Sequence, residues 1–314
     1  MHFLYFNCIS FRGNLLLLFF KSIFYFSKRI CIFNYCSVLL MKRLHLILVA
    51  LFFCVVGFSR NQVDTISVFS TKMKKEIKNV VIVPENYNVK KRYPVVYLLH
   101  GYSDNYAKWV NTVPSIKALA NKHQFILVCP DGGYSSWYFD SPIDSTYQYE
   151  SFIVKDLISY VDSHYSSIPE RSQRAITGLS MGGHGALYIA IRNKDLFANA
   201  GSMSGGVDLR SSTKLFDIAK RIGNIETNAT EWDNRSVINM VNSLKNDELN
   251  LIIDCGVSDI FYQINAALHR RLMNLGIDHD YIERPGEHDW SYWTNSIQYQ
   301  LLFFERNFEK AKKK

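Results

Sequence analysis

The chain has 314 residues, 48% of them hydrophobic and 20% charged, which is enough apolar material for a sizeable core and enough length for one large α/β domain or two small ones. Its formal charge of +8 is unevenly placed, because residues 1–59 hold six basic residues and no acidic one. Removing those six from the 36 Lys+Arg leaves 30 against 28 Asp+Glu, a net +2, so the rest of the chain lacks the basic excess of a nucleic-acid binder.

In chain order, residues 1–40 fit no targeting pattern and are read as a non-native upstream extension, with Met41 as the start. Met41-Lys42-Arg43, an apolar run over 44–58 and the small residues Gly57 and Ser59 read as a secretory signal peptide over 41–59, cleaved near Ser59. The apolar run is short for a membrane span, so no stable span is expected in the mature protein. Cys54 follows Leu51-Phe52-Phe53, without the small residue that precedes a lipidated cysteine. The expected location is therefore secreted or periplasmic rather than lipid-anchored. Cys8, Cys31, Cys36 and Cys54 all lie in this leader, and Cys129 and Cys255 alone cannot make a disulfide framework.

Residues 60–314 read as a single α/β domain. Segments 64–73 and 76–84 alternate polar and apolar residues, as two antiparallel strands would. The short apolar runs 95–99 and 125–129 suit strands buried on both faces. A helix is expected over 149–164, with Phe152, Ile153, Leu157, Tyr160 and Val161 on one face. Further strands are expected at 175–179, 198–203, 249–254 and 280–284, and further helices at 183–192, 259–274 and 290–308. Residues 205–248 show no strand pattern and are expected to hold helices beside the active site. Alternating β and α elements imply a mostly parallel sheet with helices on both faces and chemistry at the carboxyl ends of its strands.

Gly178-Leu179-Ser180-Met181-Gly182 is a G-x-S-x-G between a strand and a helix. Such a turn is so tight that bulkier neighbours would clash, and it holds a serine hydroxyl out at the mouth of the sheet. A serine needs a base oriented by an acid, in the chain order Ser, Asp or Glu, His. Among His184, His269, His279 and His288, only His288 follows the last strand, in Pro285-Gly286-Glu287-His288. For the acid, Asp259 lies in the loop past a strand, Asp254 lies within or at the end of that strand, and Asp289 is adjacent to the base. Asp259 is the favoured choice. Backbone N–H groups of Met181 and Tyr102 are the expected oxyanion donors, with His100 a structural residue under that loop.

Leu99-His100-Gly101, the Ser180 motif, Cys255-Gly256 to Asp259 and Pro285 to His288 resemble, in order and spacing, the esterase D-like family of α/β-hydrolases. That family includes feruloyl and acetyl-xylan esterases, tributyrin esterases, S-formylglutathione hydrolases and antigen 85 mycolyltransferases. The likeness spans about residues 64–308. It implies an α/β-hydrolase fold, a catalytic set of Ser180, Asp259 and His288, and oxyanion donors at Met181 and Tyr102. Segment 131–138 is more similar to the tributyrin and carbohydrate esterases, and Gly101-Tyr102-Ser103 stands where formylglutathione hydrolases carry a cysteine-bearing sequence.

Tyr134, Trp137, Tyr138 and Trp290 are expected to bind substrate, since sugar rings and aromatic acids stack on such side chains. The resulting expectation is a serine esterase acting on short acyl, feruloyl or acetyl esters of glycans. The alternatives are an acyltransferase with the same three residues, an S-formylglutathione hydrolase-like thioesterase, and a non-catalytic glycan-binding protein. No metal or nucleotide cofactor is expected, because H-E-x-x-H, paired C-x-x-C, calcium-loop and phosphate-loop patterns are all missing from the sequence.

Overall fold

A computed structural model describes residues 62–313, so the expected extension at 1–40 and signal peptide at 41–59 lie outside the described residues. In chain order come β1 (Val63–Ser70), β2 (Lys75–Ile82), β3 (Val95–Leu99), α1 (Lys108–Thr112), α2 (Ile116–His123) and β4 (Ile126–Pro130). Then comes α3, made of Tyr149–Ser151, a π-helical turn Phe152–Leu157 and Ile158–His164. It is followed by β5 (Arg174–Gly178), α4 (Met181–Arg192) and β6 (Asn199–Met203). The short helices α5 (Ile218–Ile222), α6 (Ile225–Arg235) and α7 (Val237–Met240) occupy the stretch without strands. Last come β7 (Asn250–Gly256), α8 (Tyr262–Asn274), β8 (His279–Arg284) and α9 (Trp290–Lys312).

The eight strands form one sheet in the order β1-β2-β4-β3-β5-β6-β7-β8. The first two pairings are antiparallel and the other five parallel. The expected strands 64–73 and 76–84 are shorter than read, because a turn closes after Ser70, where Lys74 N–H donates to Ser70 O. Strands β3 to β6 are buried along their whole length, so they show no alternation in sequence.

The two faces of β3 feed two separate cores. Val95, Tyr97 and Leu99 join Phe152, Ile153, Leu157 and Val161 of α3 and Leu268 and Leu272 of α8. Val96 and Leu98 join Ile116 and Leu119 of α2 and Ile297, Leu301 and Phe304 of α9. Each such side chain contributes about 1.5–3 kcal/mol when fully removed from water, so the two helical layers are what keeps both faces of the sheet buried.

After β3 the chain crosses to β4, and after β5 it continues the other way to β6. The loops leaving β3 and β5, which are neighbours, therefore part from each other at their carboxyl ends. An open parallel sheet offers its crevice at that point.

Candidate active site

Ser180 sits between the end of β5 and the start of α4, at φ 54° and ψ −117°. A non-glycine residue reaches this region only when its surroundings hold it there. Here Ser180 N–H donates to Met203 O at 2.9 Å and Gly182 N–H to Leu179 O at 2.7 Å. A Cβ on Gly182 would come within 2.6 Å of the backbone oxygens of Leu99 and His100, which explains the small residue there.

His288 lies in the loop between β8 and α9. Its Nε2 is 2.9 Å from Ser180 Oγ, and its Nδ1 is 2.9 Å from both carboxylate oxygens of Asp259. A carboxylate only accepts, so Nδ1 carries the proton and the bare Nε2 faces the serine hydroxyl. The Asp259 side chain is fully covered and also accepts from Phe261 N–H at 2.7 Å. Val257 N–H to Arg284 O (2.9 Å) and Ser258 N–H to Gly286 O (3.0 Å) lock the loop after β7 to the loop after β8, fixing Asp259 against His288. Phe261 and Trp293 stand edge-on to the imidazole at 5.1 and 4.9 Å.

The other candidate acids are engaged elsewhere. Asp254 is buried in β7, where Arg284 Nη2 (2.7 Å), Ser296 Oγ (3.1 Å) and the Tyr292 hydroxyl all donate to it. Burial raises its pKa despite these donors. Asp289 accepts from Tyr292 N–H at 2.9 Å and caps α9. The remaining histidines are also committed. His184 contacts Trp137 O and Arg235 O, and burial lowers its pKa to about 4. His269 and His279 pair with each other at 2.7 Å, His279 opening β8 at the opposite end of the strand from His288.

Met181 N–H is the first of α4, with no helical carbonyl to receive it. Tyr102 N–H donates to no group among the described residues. The loop carrying it runs close to Ser180, since a Cβ on Gly101 would lie 3.7 Å from Ser180 Cβ. Among the described residues, no group of three or more His, Cys, Asp or Glu side chains is placed to hold a metal ion. Nor is any helix among them long and apolar enough to cross a membrane.

Two of the four expected substrate-binding aromatics are not available for stacking. Trp137 is 1% exposed and Tyr138 is 0% exposed. Both have positive φ (54° and 60°). Trp137 Nε1–H donates to Phe216 O at 3.1 Å, and the Tyr138 hydroxyl donates to His100 O at 3.2 Å. Tyr134 is 54% exposed and rests on Tyr102 at 4.9 Å. Trp290 is partly buried between Trp109 (5.0 Å) and Trp293 (5.5 Å).

Sequence reasoning missed Phe216 and Phe261. They bridge Tyr102 to His288 through ring contacts of 5.6, 5.9 and 5.1 Å. Phe261 could have been found, since it lies two residues past Asp259. Phe216 sits in a loop with no local signal.

The family model described as "Putative esterase" matches residues 70–304. An esterase of Mycobacterium tuberculosis is 29% identical over 66% of this chain, which spans about half (51%) of that relative's length. An acetyl esterase of Caldicellulosiruptor saccharolyticus is 26% identical over 74% of this chain and 94% of its own length. A solved ferulic acid esterase superimposes with a TM-score of 0.68 at 27% identity, covering 78% of this chain and 98% of its own. With its eight-stranded, mostly parallel sheet and helices on both faces, the chain belongs to this esterase family and has the α/β-hydrolase fold.

Proposed function

We propose that the chain is a serine esterase that hydrolyses carboxylic esters through an acyl-enzyme. The observation that carries this reading is the unbroken hydrogen-bonded line from Ser180 Oγ through His288 to Asp259, each link 2.9 Å. His288 Nε2 takes the hydroxyl proton as Oγ attacks the ester carbonyl, and Asp259 stabilises the imidazolium that forms. The N–H groups of Met181 and Tyr102 receive the oxyanion. The imidazolium then returns its proton to the leaving alcohol and the Oγ–acyl bond remains; water next attacks the acyl carbon as His288 takes its proton, and that proton passes to Oγ as the acid leaves.

The substrates proposed are short acyl, acetyl or feruloyl esters on glycans, met outside the cytoplasm after removal of the leader near Ser59. The exposed Tyr134 ring on Tyr102 supports this class. So do the acetyl esterase and the ferulic acid esterase to which the chain is similar. Acetate and ferulate release from acetylated and feruloylated xylan is the test. Release from either polymer is expected, whereas turnover confined to free short-chain esters would refute the glycan assignment.

A further inference from the structure

His100 leaves β3 beside the nucleophile yet has no part in the Ser180–His288–Asp259 line. Its side chain is buried and both ring nitrogens are used. Gly132 N–H donates to Nε2 at 2.7 Å, so Nε2 carries no proton. Nδ1, 2.8 Å from Gly101 O, is then the donor, and one neutral tautomer satisfies both contacts. Burial lowers the imidazole's pKa, against the smaller pull of the Gly101 carbonyl, Asp131 and Asp104.

The acceptor of that Nδ1–H gives the contact its meaning. Gly101 C=O and Tyr102 N–H are the two ends of a single planar peptide group. Fixing the carbonyl end fixes the direction of the N–H assigned to the oxyanion. Asp104 N–H gives the same carbonyl a second, longer bond of 3.3 Å.

Segment 131–138 grips the 100–103 turn at three places. Gly132 N–H meets the imidazole, and Tyr134 O accepts from Ser103 N–H at 2.8 Å. The Tyr138 hydroxyl accepts from His100 N–H at 3.0 Å and donates to His100 O at 3.2 Å. The positive φ of both Trp137 and Tyr138 is the backbone strain that this grip holds in place.

We propose that His100 is a positioning residue of the oxyanion hole, its Nδ1–H holding the Gly101–Tyr102 peptide so that Tyr102 N–H faces the acyl oxygen, with segment 131–138 supporting the imidazole. The inference rests on the esterase reading above.

Isosteres separate the two ring contacts. Asn places its amide N–H where Nδ1 stands, so His100→Asn keeps the donor to Gly101 O. Gln reaches instead to the Nε2 position, so His100→Gln keeps the partner of Gly132 N–H and loses that donor.

On p-nitrophenyl acetate, His100→Gln lowers kcat about 10- to 100-fold with KM within about threefold, because the donor is misaimed rather than deleted. His100→Asn stays within about fivefold of wild type in both parameters. Tyr138→Phe, which removes both bonds to the His100 main chain, repeats the kcat loss and serves where the Gln protein does not fold.

Labelling of Ser180 by a fluorophosphonate, read by mass spectrometry, reports nucleophile reactivity independently of any ester. A wild type inert to both the fluorophosphonate and esters refutes the esterase reading and this inference with it. A wild type active in both overturns the inference alone if His100→Gln and Tyr138→Phe keep wild-type kcat, or if the Asn and Gln proteins fall equally.

Discussion

Asp254 and Asp259 are both buried, five residues apart, and replacing each in turn by Asn should split stability from catalysis. In Asp254→Asn, Arg284 Nη2 loses its charged partner at Oδ2, while the Asn oxygen, standing where Oδ1 does, still accepts from the hydroxyls of both Tyr292 and Ser296. Removing one partner of a buried pair costs about 3–5 kcal/mol; with the Arg284 side chain 21% exposed, we take about 2–3. At about 2–4 °C per kcal/mol for a domain of this size, the melting temperature should fall about 4–12 °C.

Catalysis should survive, with kcat within about tenfold of wild type, because Asp254 does not touch His288. In Asp259→Asn the amide would present an N–H to Nδ1 or leave the wrong tautomer facing Ser180, a loss of about 10⁴ in kcat. That equals about 5 kcal/mol of transition-state stabilisation. Its melting temperature should move little, because the Asn oxygen can keep the bond from Phe261 N–H. Differential scanning fluorimetry and p-nitrophenyl acetate kinetics on both proteins read the two effects. A thousandfold kcat loss in folded Asp254→Asn, with Asp259→Asn still active, would refute the assignment.

Two further outcomes follow from the same structure. The unfolded chain protonates His184 at its ordinary pKa of 6.5, whereas burial lowers it to about 4 in the fold. The folded state thus binds fewer protons between those values, and stability falls as pH drops from 6.5 to 4, by about 3 kcal/mol at the lower end. Urea unfolding of wild type and His184→Gln from pH 7 to 4.5 checks this, and equal slopes in the two proteins would contradict it. Tyr134→Ala should raise KM for methyl ferulate about three- to tenfold with p-nitrophenyl acetate unchanged, as loss of one exposed stacking surface predicts. A matching rise for both esters would remove Tyr134 from substrate recognition.

The sequence was most informative where the physics is local. The run 95–99 is strand β3 to the residue, because a short β-branched segment buried on both faces has few other options. The G-x-S-x-G turn joins strand to helix because only glycine tolerates the approach of the Leu99 and His100 backbones. Most element ends moved by one to three residues where turn hydrogen bonds decide them, as at Ser70, and the last helix runs four residues past its expected end, to Lys312. The π-helical turn at Phe152–Leu157 interrupts a helix that the apolar spacing presents as regular.

The site was less legible in its aromatics. Trp137 and Tyr138, in a loop of Gly, Ser and Asp, look like exposed stacking rings. Their positive φ and their bonds to His100 and Phe216, residues far away in sequence, turn them into supports. Phe216 reaches the site only through long-range packing, so no local pattern identifies it.

The central claim is that Ser180 carries the acyl group. Brief incubation with p-nitrophenyl acetate, acid quench and peptide mass spectrometry reads this directly. An acetyl adduct is predicted on the peptide containing Ser180, and it should be absent in Ser180→Ala together with p-nitrophenol release. Undiminished turnover in folded Ser180→Ala, or an adduct on another residue, would contradict it.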